Sequence, residues 1–249
     1  MADGQFAISD HYDVMAELDA DVHNDLELST TEVDLALTLL NRTPRSVFLP
    51  CFGTGRHIRR FLERGVTRIV GVDLSPVCVE KAHKEFANDG RVELMVGDLR
   101  SWRSSETFQA VVLLGNSFGD VIDPNMLAEV TTGMLRPLQP GGKFVMDYVG
   151  ENYLDRARAR RSSRWNAVLK GASVHDTRTP HYDEATRVMS IDVVVTPPAG
   201  GDPLWRGCYQ KAILSKREVI NHFARAGGIE IRCAGVATKL NPAYYDHRD

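Results

Sequence analysis

The sequence has few cysteines, little excess charge and no long apolar run, and each of these absences excludes a class of protein. It has four cysteines in 249 residues, with no C-x-x-C pair and no histidine at the spacing of a zinc site. A structural metal and a disulfide framework are therefore not expected, whereas reduced thiols are. The formal net charge of −3 gives no general attraction for nucleic acid or for an anionic membrane surface.

Signals for membrane insertion or export are also missing from the sequence. No run of roughly 18 apolar residues occurs, and the start, Met1-Ala2-Asp3-Gly4-Gln5, has neither the positive charge nor the apolar stretch of a signal peptide. We therefore expect a cytoplasmic protein that binds neither nucleic acid nor membrane. The 43% of hydrophobic residues and 25% of charged residues are typical of a globular fold with a sizeable core.

Short apolar runs alternate with segments of helical spacing in the middle of the chain, between residues 46 and 150. The apolar runs predict five strands, at 47–49, 69–72, 92–96, 111–114 and 143–146. The segments between them predict helices at 56–65, 76–88 and 123–136. Strands that alternate with helices form a parallel sheet covered on both faces, so the fold class is α/β with a doubly wound core.

The flanking regions have different patterns. Thr30-Thr31-Glu32-Val33 predicts the start of a capped helix, and a shorter helix or lid is expected around His11-Tyr12-Asp13. After residue 150, alternation at 188–195 and 204–214 predicts antiparallel strands. The capping box Ser215-Lys216-Arg217-Glu218 predicts a last helix, which Gly227-Gly228 ends before a last strand from Ile229.

These patterns divide the chain into four predicted segments. They are N-terminal helices and a lid at 1–44, the ligand-binding core at 45–150, a substrate-covering antiparallel insertion at 151–214, and the last helix and strand of the core at 215–249. The exposed strand edges of such an insertion are compatible with a homodimer.

Polar and glycine residues follow the first three predicted strands. The turn Gly53-Thr54-Gly55 lies between a strand and a helix, where missing Cβ atoms let the backbone approach a ligand. Asp73 ends the second strand, where a carboxylate can accept hydrogen bonds from both ribose hydroxyls. Asp98 ends the third strand, within reach of an adenine amino group. Three neighbouring strand ends therefore predict one nucleoside site.

The residue at the third glycine position distinguishes between cofactors. In G-x-G-x-x-G the last glycine permits close helix packing beside a pyrophosphate, and here that position is Ile58. This argues against a nicotinamide-dependent oxidoreductase and for S-adenosylmethionine (SAM), which has no phosphate.

With these motifs the chain resembles class I SAM-dependent methyltransferases of the small-molecule type over roughly residues 45–150. The residues that carry the resemblance are 53–57, 71–75, 97–99, 108–111, 115–119 and 135–142. The resemblance implies a Rossmann-like, seven-stranded sheet of order 3-2-1-4-5-7-6, with an antiparallel last strand and an antiparallel insertion after strand five. It also implies SAM as the cofactor.

The resemblance further implies roles for individual residues toward the cofactor. Gly53 and Gly55 would line the methionine portion, Asp73 would bind the ribose, Asp98 and Leu99 would bind the adenine. The complete set of expected cofactor contacts is Tyr12, Gly53, Thr54, Gly55, Arg56, Asp73, Leu74, Asp98, Leu99 and Asn116.

Two positions depart from the family pattern. Leu49 stands where the family has an acid on the first strand, and Cys51 stands where it has its first glycine. Contacts to the methionine ammonium must then come from elsewhere or from backbone carbonyls.

Candidates for the methyl acceptor lie at strand ends and in the insertion. Asn116, Phe118, Tyr148 and Tyr209 are expected acceptor contacts, and Tyr12, His175 and Tyr209 are candidates for catalysis. His181 is a further candidate base, and Asp147 lies beside Tyr148. Each has an ordinary alternative, because a tyrosine can fill a core with its hydroxyl in water and a histidine can be exposed. The five arginines between 156 and 164 indicate a solvated face, an anionic acceptor or a subunit contact.

The predicted function is transfer of a methyl group to an amine nitrogen of a small metabolite, such as a sugar amine, an amino acid or a natural-product intermediate. The preference for nitrogen rests on likeness to sugar-amine and glycine-type N-methyltransferases in Gly115-Asn116-Ser117-Phe118-Gly119 and in the insertion. Transfer to oxygen is the first alternative, and a non-catalytic methyltransferase-like binding protein is the second.

Overall fold

Two five-stranded sheets organise the part of the chain that the computed structural model describes, residues 8–20 and 26–227. The strands are β1 (Leu18–Ala20), β2 (Ser46–Pro50), β3 (Arg68–Asp73), β4 (Val92–Val96), β5 (Phe108–Leu113), β6 (Leu138–Met146), β7 (Ser163–Leu169), β8 (Ala172–Asp183), β9 (Val188–Thr196) and β10 (Trp205–Ala212). The helices are α1 (Ile8–Glu17), α2 (Leu26–Leu40), α3 (Ile58–Glu63), α4 (Pro76–Phe86), α5 (Pro124–Leu135), α6 (Leu154–Arg158) and α7 (Lys216–Arg225).

The first sheet is parallel and has the strand order β4-β3-β2-β5-β6. Its central strands are runs of apolar residues, and Val47, Phe48, Ile69 and Val111 are almost completely buried because helices cover both faces. The predicted α/β class and the order of the first five strands are confirmed. The predicted last strand from Ile229 lies outside the described residues.

Helices α4 and α5 start at sequence signals that satisfy their first backbone N–H groups. The Ser75 hydroxyl accepts a hydrogen bond from the Cys78 N–H, and the Asp123 carboxylate accepts from the Asn125 N–H. A proline follows each cap, at the position where a missing N–H costs nothing. These caps fix where the loops after β3 and β5 end, and both loops lie at the edge of the sheet where ligands collect.

The start of α2 differs from the prediction. Thr30 and Thr31 lie inside the helix, which the structure describes from Leu26 onward. Their hydroxyls donate to the carbonyls of Leu26 (2.6 Å) and Glu27 (2.9 Å), one turn earlier in the helix. A threonine pair in this position satisfies its own hydroxyls within the helix and does not cap it.

The second sheet is antiparallel, with the order β1-β7-β8-β9-β10, and it is inserted mainly between β6 and α7. Its inner face is mainly apolar, with Val174, Met189, Val193 and Val195 almost completely buried, and it also carries buried charged residues, Asp176, Arg178 and Lys211. Strand β1 pairs with β7, so the N-terminal segment also supplies an edge strand to this sheet. The division into four segments stays a prediction.

None of the helices among the described residues is both long and apolar enough to cross a membrane.

Gly133 marks the tightest contact between α5 and the loop after β4. A Cβ atom at this position would lie 2.0 Å from the Leu99 carbonyl oxygen. Gly133→Ala is therefore expected to lower the free energy of unfolding by about 1–3 kcal/mol, because the helix or the loop must shift. Urea denaturation measures this change. Gly90→Ala, where nothing lies within 4 Å of the added Cβ, is the control and should change stability by less than about 0.5 kcal/mol. Equal stabilities of the two variants would contradict the assigned contact.

Candidate active site

A cavity of about 810 Å³ lies between the carboxyl ends of the parallel strands and the inner face of the antiparallel sheet. This volume lies within the range of small-molecule and cofactor sites. The floor is formed by residues that follow β2, β3, β4 and β5, among them Gly53, Gly55, Asp73, Asp98 and Asn116. The opposite wall is formed by α1 and by β8, β9 and β10, with Tyr12, Arg178, Met189, Tyr209 and Lys211.

Asp73 connects the loops after β2 and β3. One oxygen of its carboxylate accepts from the Gly53 N–H (2.7 Å) and the other accepts from the Ser75 N–H (2.9 Å). Burial raises the pKa of Asp73, although these N–H groups oppose the shift by stabilising the carboxylate. Each oxygen keeps a second acceptor position, so the carboxylate can also receive two hydroxyl groups.

Asp98 lies in the loop after the neighbouring strand β4. Its carboxylate accepts from the Arg100 backbone N–H (2.9 Å) and from the Arg100 Nε (2.9 Å). The hydrogen bond from the Arg100 guanidinium is the main reason that the pKa of Asp98 is lowered. Asp98, Leu99 and Asp73 all line the cavity, so two acids from neighbouring strands converge on one space.

The turn after β2 uses left-handed backbone at three positions. The φ angles are 52° at Cys51, 60° at Gly53 and 86° at Gly55. Cys51 therefore occupies a conformation that glycine adopts more readily, at a cost of roughly 1–2 kcal/mol. A Cβ at Gly55 would lie 3.1 Å from Ile58 Cδ1, so the isoleucine side chain fills the space beneath the turn.

Leu49, at the position of the family's first-strand acid, is a core residue. It is 4% exposed and packs in the cluster that contains Val47, Phe52 and Ile58. A carboxylate at this position would be buried among apolar side chains, which is costly without partners.

Polar residues from α2 meet the turn after β2 at one end of the cavity. Arg56 donates to the Ser29 hydroxyl (3.0 Å) and to Glu32 (2.5 Å), and His57 Nε2 lies 2.7 Å from Glu32. Burial opposes ionisation of Glu32, but the contacts with His57 and Arg56 lower its pKa overall. Burial, followed by the charge of Arg56, lowers the pKa of His57. Arg56 therefore faces the cavity as a cation whose position is fixed by an ionised glutamate.

The loop after β5 is held by Asp147, the residue that follows β6. Its carboxylate accepts from the N–H groups of Gly115 (3.1 Å) and Asn116 (2.8 Å). Both of these residues have positive φ angles, 94° at Gly115 and 60° at Asn116. Asp147 thus fixes a strained turn whose second residue lines the cavity.

Two charged residues that sequence reasoning missed also line the cavity. Asp120 and Lys211 form an ion pair with side chains only 7% and 9% exposed, and the Tyr12 hydroxyl donates to Asp120. The Tyr209 ring lies beside the pair, with Lys211 Nζ 5.7 Å from its centre, and His11 stacks on that ring at 4.1 Å. The alternation along β10 places Lys211 and Tyr209 on one face, and this signal could have indicated that they lie together.

Comparison with known proteins agrees with this architecture. Residues 50–142 match the family described as methyltransferase domain. The methyltransferase family that the motifs predict is confirmed. No curated protein sequence matches the chain.

Three solved structures are similar to most of this chain. DesVI of Streptomyces venezuelae is 20% identical with a TM-score of 0.67, and the match covers 90% of this chain and 91% of that one. The sugar N-methyltransferase KedS8 of Streptoalloteichus sp. is 19% identical with a TM-score of 0.66, over 82% and 79% of the two chains. CalS10 of Micromonospora echinaspora, an amino pentose methyltransferase, is 21% identical with a TM-score of 0.62, over 78% and 82%. At these identities the likeness establishes the fold.

The residues expected to contact the cofactor lie together. All ten line the cavity, and they are Tyr12, Gly53, Thr54, Gly55, Arg56, Asp73, Leu74, Asp98, Leu99 and Asn116. Tyr209, expected to contact the acceptor, lines it too. Their roles toward a ligand stay predictions.

Several other expected contacts lie elsewhere among the described residues. Phe118 is 2% exposed and packs in the core against Phe223, with ring centres 5.3 Å apart. Tyr148 packs against the same core cluster. His175 lies between the inward-facing residues Val174 and Asp176 on β8, so strand alternation turns it to the outer face.

The remaining candidate base, His181, is also on the outer face of the antiparallel sheet. Its Nε2 lies 2.6 Å from Asp192, and its Nδ1 accepts from the Arg160 Nε at 2.7 Å. The interpretation that fits His181 is the ordinary one, a satisfied surface histidine. His175 and His181 are not among the described residues that line the cavity, and their candidate role as a base stays a prediction.

The pKa of Asp147 predicts a pH-dependent stability of the protein. Burial raises it from 3.8 to about 6, against the opposing N–H group of Asn116. Because the folded protein favours the protonated acid, the associated stability is complete below about pH 4 and is lost as pH rises through about 6. Asp147→Asn removes this titration, so the unfolding free energy of the wild type minus that of the variant should fall between about pH 4 and pH 7.

Urea denaturation across this pH range measures the difference. Asp202→Asn, in an exposed turn, is the matched control for the loss of one carboxylate elsewhere on the chain. If the unfolding free energy of the wild type minus that of Asp147→Asn rises with pH, the pKa of Asp147 is lowered in the folded protein, contrary to the assignment.

Proposed function

We propose that this chain is a SAM-dependent methyltransferase that transfers a methyl group to an amine nitrogen of a small metabolite, such as a sugar amine, an amino acid or a natural-product intermediate. The observation that carries the proposal is the convergence of Asp73 and Asp98 on one cavity beside the turn Gly53-Thr54-Gly55. This arrangement suits a nucleoside at the carboxyl ends of β3 and β4, with its substituent extending over β2 toward β5.

The residues present fit the chemical groups of SAM. Asp73 has acceptor capacity for the two ribose hydroxyls, and its carboxylate is already oriented by Gly53 and Ser75. Asp98 and Leu99 line the space next to it, where an adenine would lie. Arg56 faces the cavity beside the glycine turn and suits the methionine carboxylate. The acid absent at Leu49 is not required for these contacts.

When bound, SAM supplies an electrophilic methyl carbon on a positively charged sulfur. The protein's part in an in-line displacement is to hold the acceptor atom at near-attack distance along the S–C axis and to exclude water. The floor formed by the glycine turn and Asn116 would position the cofactor. The wall formed by Tyr12 and Tyr209 would close over the acceptor. An amine that has lost its proton needs no further base, because its lone pair is already available.

The choice of nitrogen is supported by the solved structures that share the fold. KedS8 is named as a sugar N-methyltransferase and CalS10 as an amino pentose methyltransferase. Transfer to a hydroxyl is the alternative, and it would call for a base beside the acceptor. Asp120 lines the cavity and would be the acid available for that role.

Two other classes of function are less well supported. A nicotinamide cofactor needs close packing of a pyrophosphate against the helix, and Ile58 fills the space under Gly55. A non-catalytic binding protein would not need a cavity large enough for a nucleoside and a second molecule, whereas this one measures about 810 Å³.

Calorimetric titration tests the proposed cofactor. S-adenosylhomocysteine (SAH) should bind to the wild type, and Asp73→Ala should weaken its binding by roughly 1.5–3 kcal/mol, the value of hydrogen bonds to a charged group. Asp202→Ala, in an exposed turn, is the control and should bind SAH as the wild type does. Binding of NADH without binding of SAH would exclude the proposal. Binding of neither compound would favour a non-catalytic binding protein.

The type of acceptor atom is tested by product mass spectrometry. The protein is incubated with SAM and with matched pairs of small molecules that carry either an amine or a hydroxyl at the same position. Amines should gain about 14 mass units, one CH₂, and the hydroxyl partners should not, because the amine is the better nucleophile without a base. A gain confined to the hydroxyl compounds would establish transfer to oxygen instead.

A further inference from the structure

Three elements that are distant in the sequence meet at the Asp120 carboxylate. Tyr12 on α1 donates its hydroxyl to one oxygen, and Lys211 on β10 donates its ammonium to the other. Lys211 also donates to the Asn116 carbonyl at 2.9 Å, which ties β10 to the turn after β5. All four residues line the cavity, so the cluster is part of its wall.

The cluster lies on the side of the cavity away from the expected nucleoside. Along the sheet edge the strand ends follow the order Asp98, Asp73, the glycine turn and Asn116, because the strand order is β4-β3-β2-β5. Asp120 comes after Asn116 in the loop beyond β5. A cofactor whose nucleoside lies at Asp73 and Asp98 therefore directs its sulfur toward this cluster.

A second observation places the ion pair near the glycine turn. The pKa of the Cys51 thiol is raised by burial first, then by the negative charges of Asp73 and Asp120, while the positive charge of Lys211 opposes the shift. Cys51 is the first residue of the turn with a positive φ. Both charges of the pair therefore act on the region over β2, where the sulfur would lie.

The ion pair is costly as a purely structural feature. Its side chains are 7% and 9% exposed, and the inner face of the sheet around Lys211 carries the buried apolar residues Met189 and Ile191. Removing two charges from water costs several kcal/mol each, and apolar residues of similar volume would often stabilise the fold better. Among the described residues Asp120 has two hydrogen-bond donors, whereas a carboxylate has about four acceptor positions. Asp120 lines the cavity, so a ligand there can use the remaining acceptor positions.

We propose that Asp120 orients the amine of the acceptor and that Lys211 keeps this amine uncharged. This inference rests on the proposed function and adds the residues that position the acceptor nitrogen and set its charge. Asp120 accepts one N–H of the neutral amine, which directs the nitrogen lone pair toward the methyl carbon. Lys211 disfavours the ammonium form by like-charge repulsion in a site that is shielded from water. Tyr12 positions the carboxylate.

Methyl transfer to the neutral amine forms one bond and breaks another. The nitrogen lone pair forms the N–C bond while the C–S bond breaks. The electron pair of the C–S bond stays on sulfur, which becomes a neutral thioether. The nitrogen becomes positively charged and then releases its proton to water. Lys211 favours this release, because it lowers the stability of a second cation beside it.

Sinefungin tests this assignment without an identified acceptor. It is a SAM analogue in which a carbon bearing an ammonium group replaces the sulfur bearing the methyl group, so it places a positive charge where the acceptor meets the methyl. The measurement is the ratio of the dissociation constant of sinefungin to that of SAH, obtained by calorimetry. Asp120→Asn should raise this ratio by about tenfold, because it removes the attractive charge. Lys211→Met should lower it by a similar factor, because it removes the repulsive charge.

The variants carry their own controls. Asparagine keeps the shape of Asp120 and can still accept from Tyr12, and methionine keeps the apolar stem of Lys211. Asp192→Asn, the same change on the outer face of β9, should leave the ratio unchanged. Unaltered SAH binding shows that each variant is folded.

The outcomes separate the two proposals. Normal SAH binding with a ratio that neither variant changes would overturn the role of Asp120 and Lys211 alone. Changes of equal direction in both variants would also overturn it, because the two charges must act oppositely. Absence of SAH binding in the wild type would overturn the proposed function, and this inference with it.

Discussion

The rest of the site depends on the hydrogen bonds that the Asp73 carboxylate accepts. It accepts one backbone N–H from the turn after β2 and one from the turn after β3, so two neighbouring strand ends share a single anchor. Both turns are thereby fixed before any ligand binds, and the carboxylate lines the cavity. A buried acid needs such partners, because burial alone would favour its neutral form.

The second sheet turns this strand edge into an enclosed chamber. Helix α1 connects the two parts, since Tyr12 reaches Asp120 of the core and His11 stacks on Tyr209 of the antiparallel sheet. The same helix is followed by β1, which pairs with β7. Helix α1 and the antiparallel sheet thus form one connected wall of the cavity, whereas the floor is built from the parallel sheet alone. This division explains how a common cofactor site can be combined with a specific acceptor site.

The sequence was sufficient to predict the parts of the structure that depend on local patterns. The glycine turn, Asp73 and Asp98 each follow an apolar strand directly, so their position at one sheet edge followed from the parallel order. Local patterns could not predict the surroundings of His175 and Phe118, because these depend on which face of a strand or turn is covered. Asp120 and Lys211 carry no local motif. They are separated by 91 residues, and only the packing of β10 against the loop after β5 brings them together.

We propose that Asp73 holds the ribose of the cofactor between β3 and the glycine turn. A crystal structure of the protein with SAH tests this role. We expect both ribose hydroxyls within hydrogen-bond distance of the Asp73 carboxylate, the adenine beside Asp98 and Leu99, and the sulfur directed toward Asn116. A nucleoside bound elsewhere in the cavity, with Asp73 contacting only Gly53 and Ser75, would contradict it.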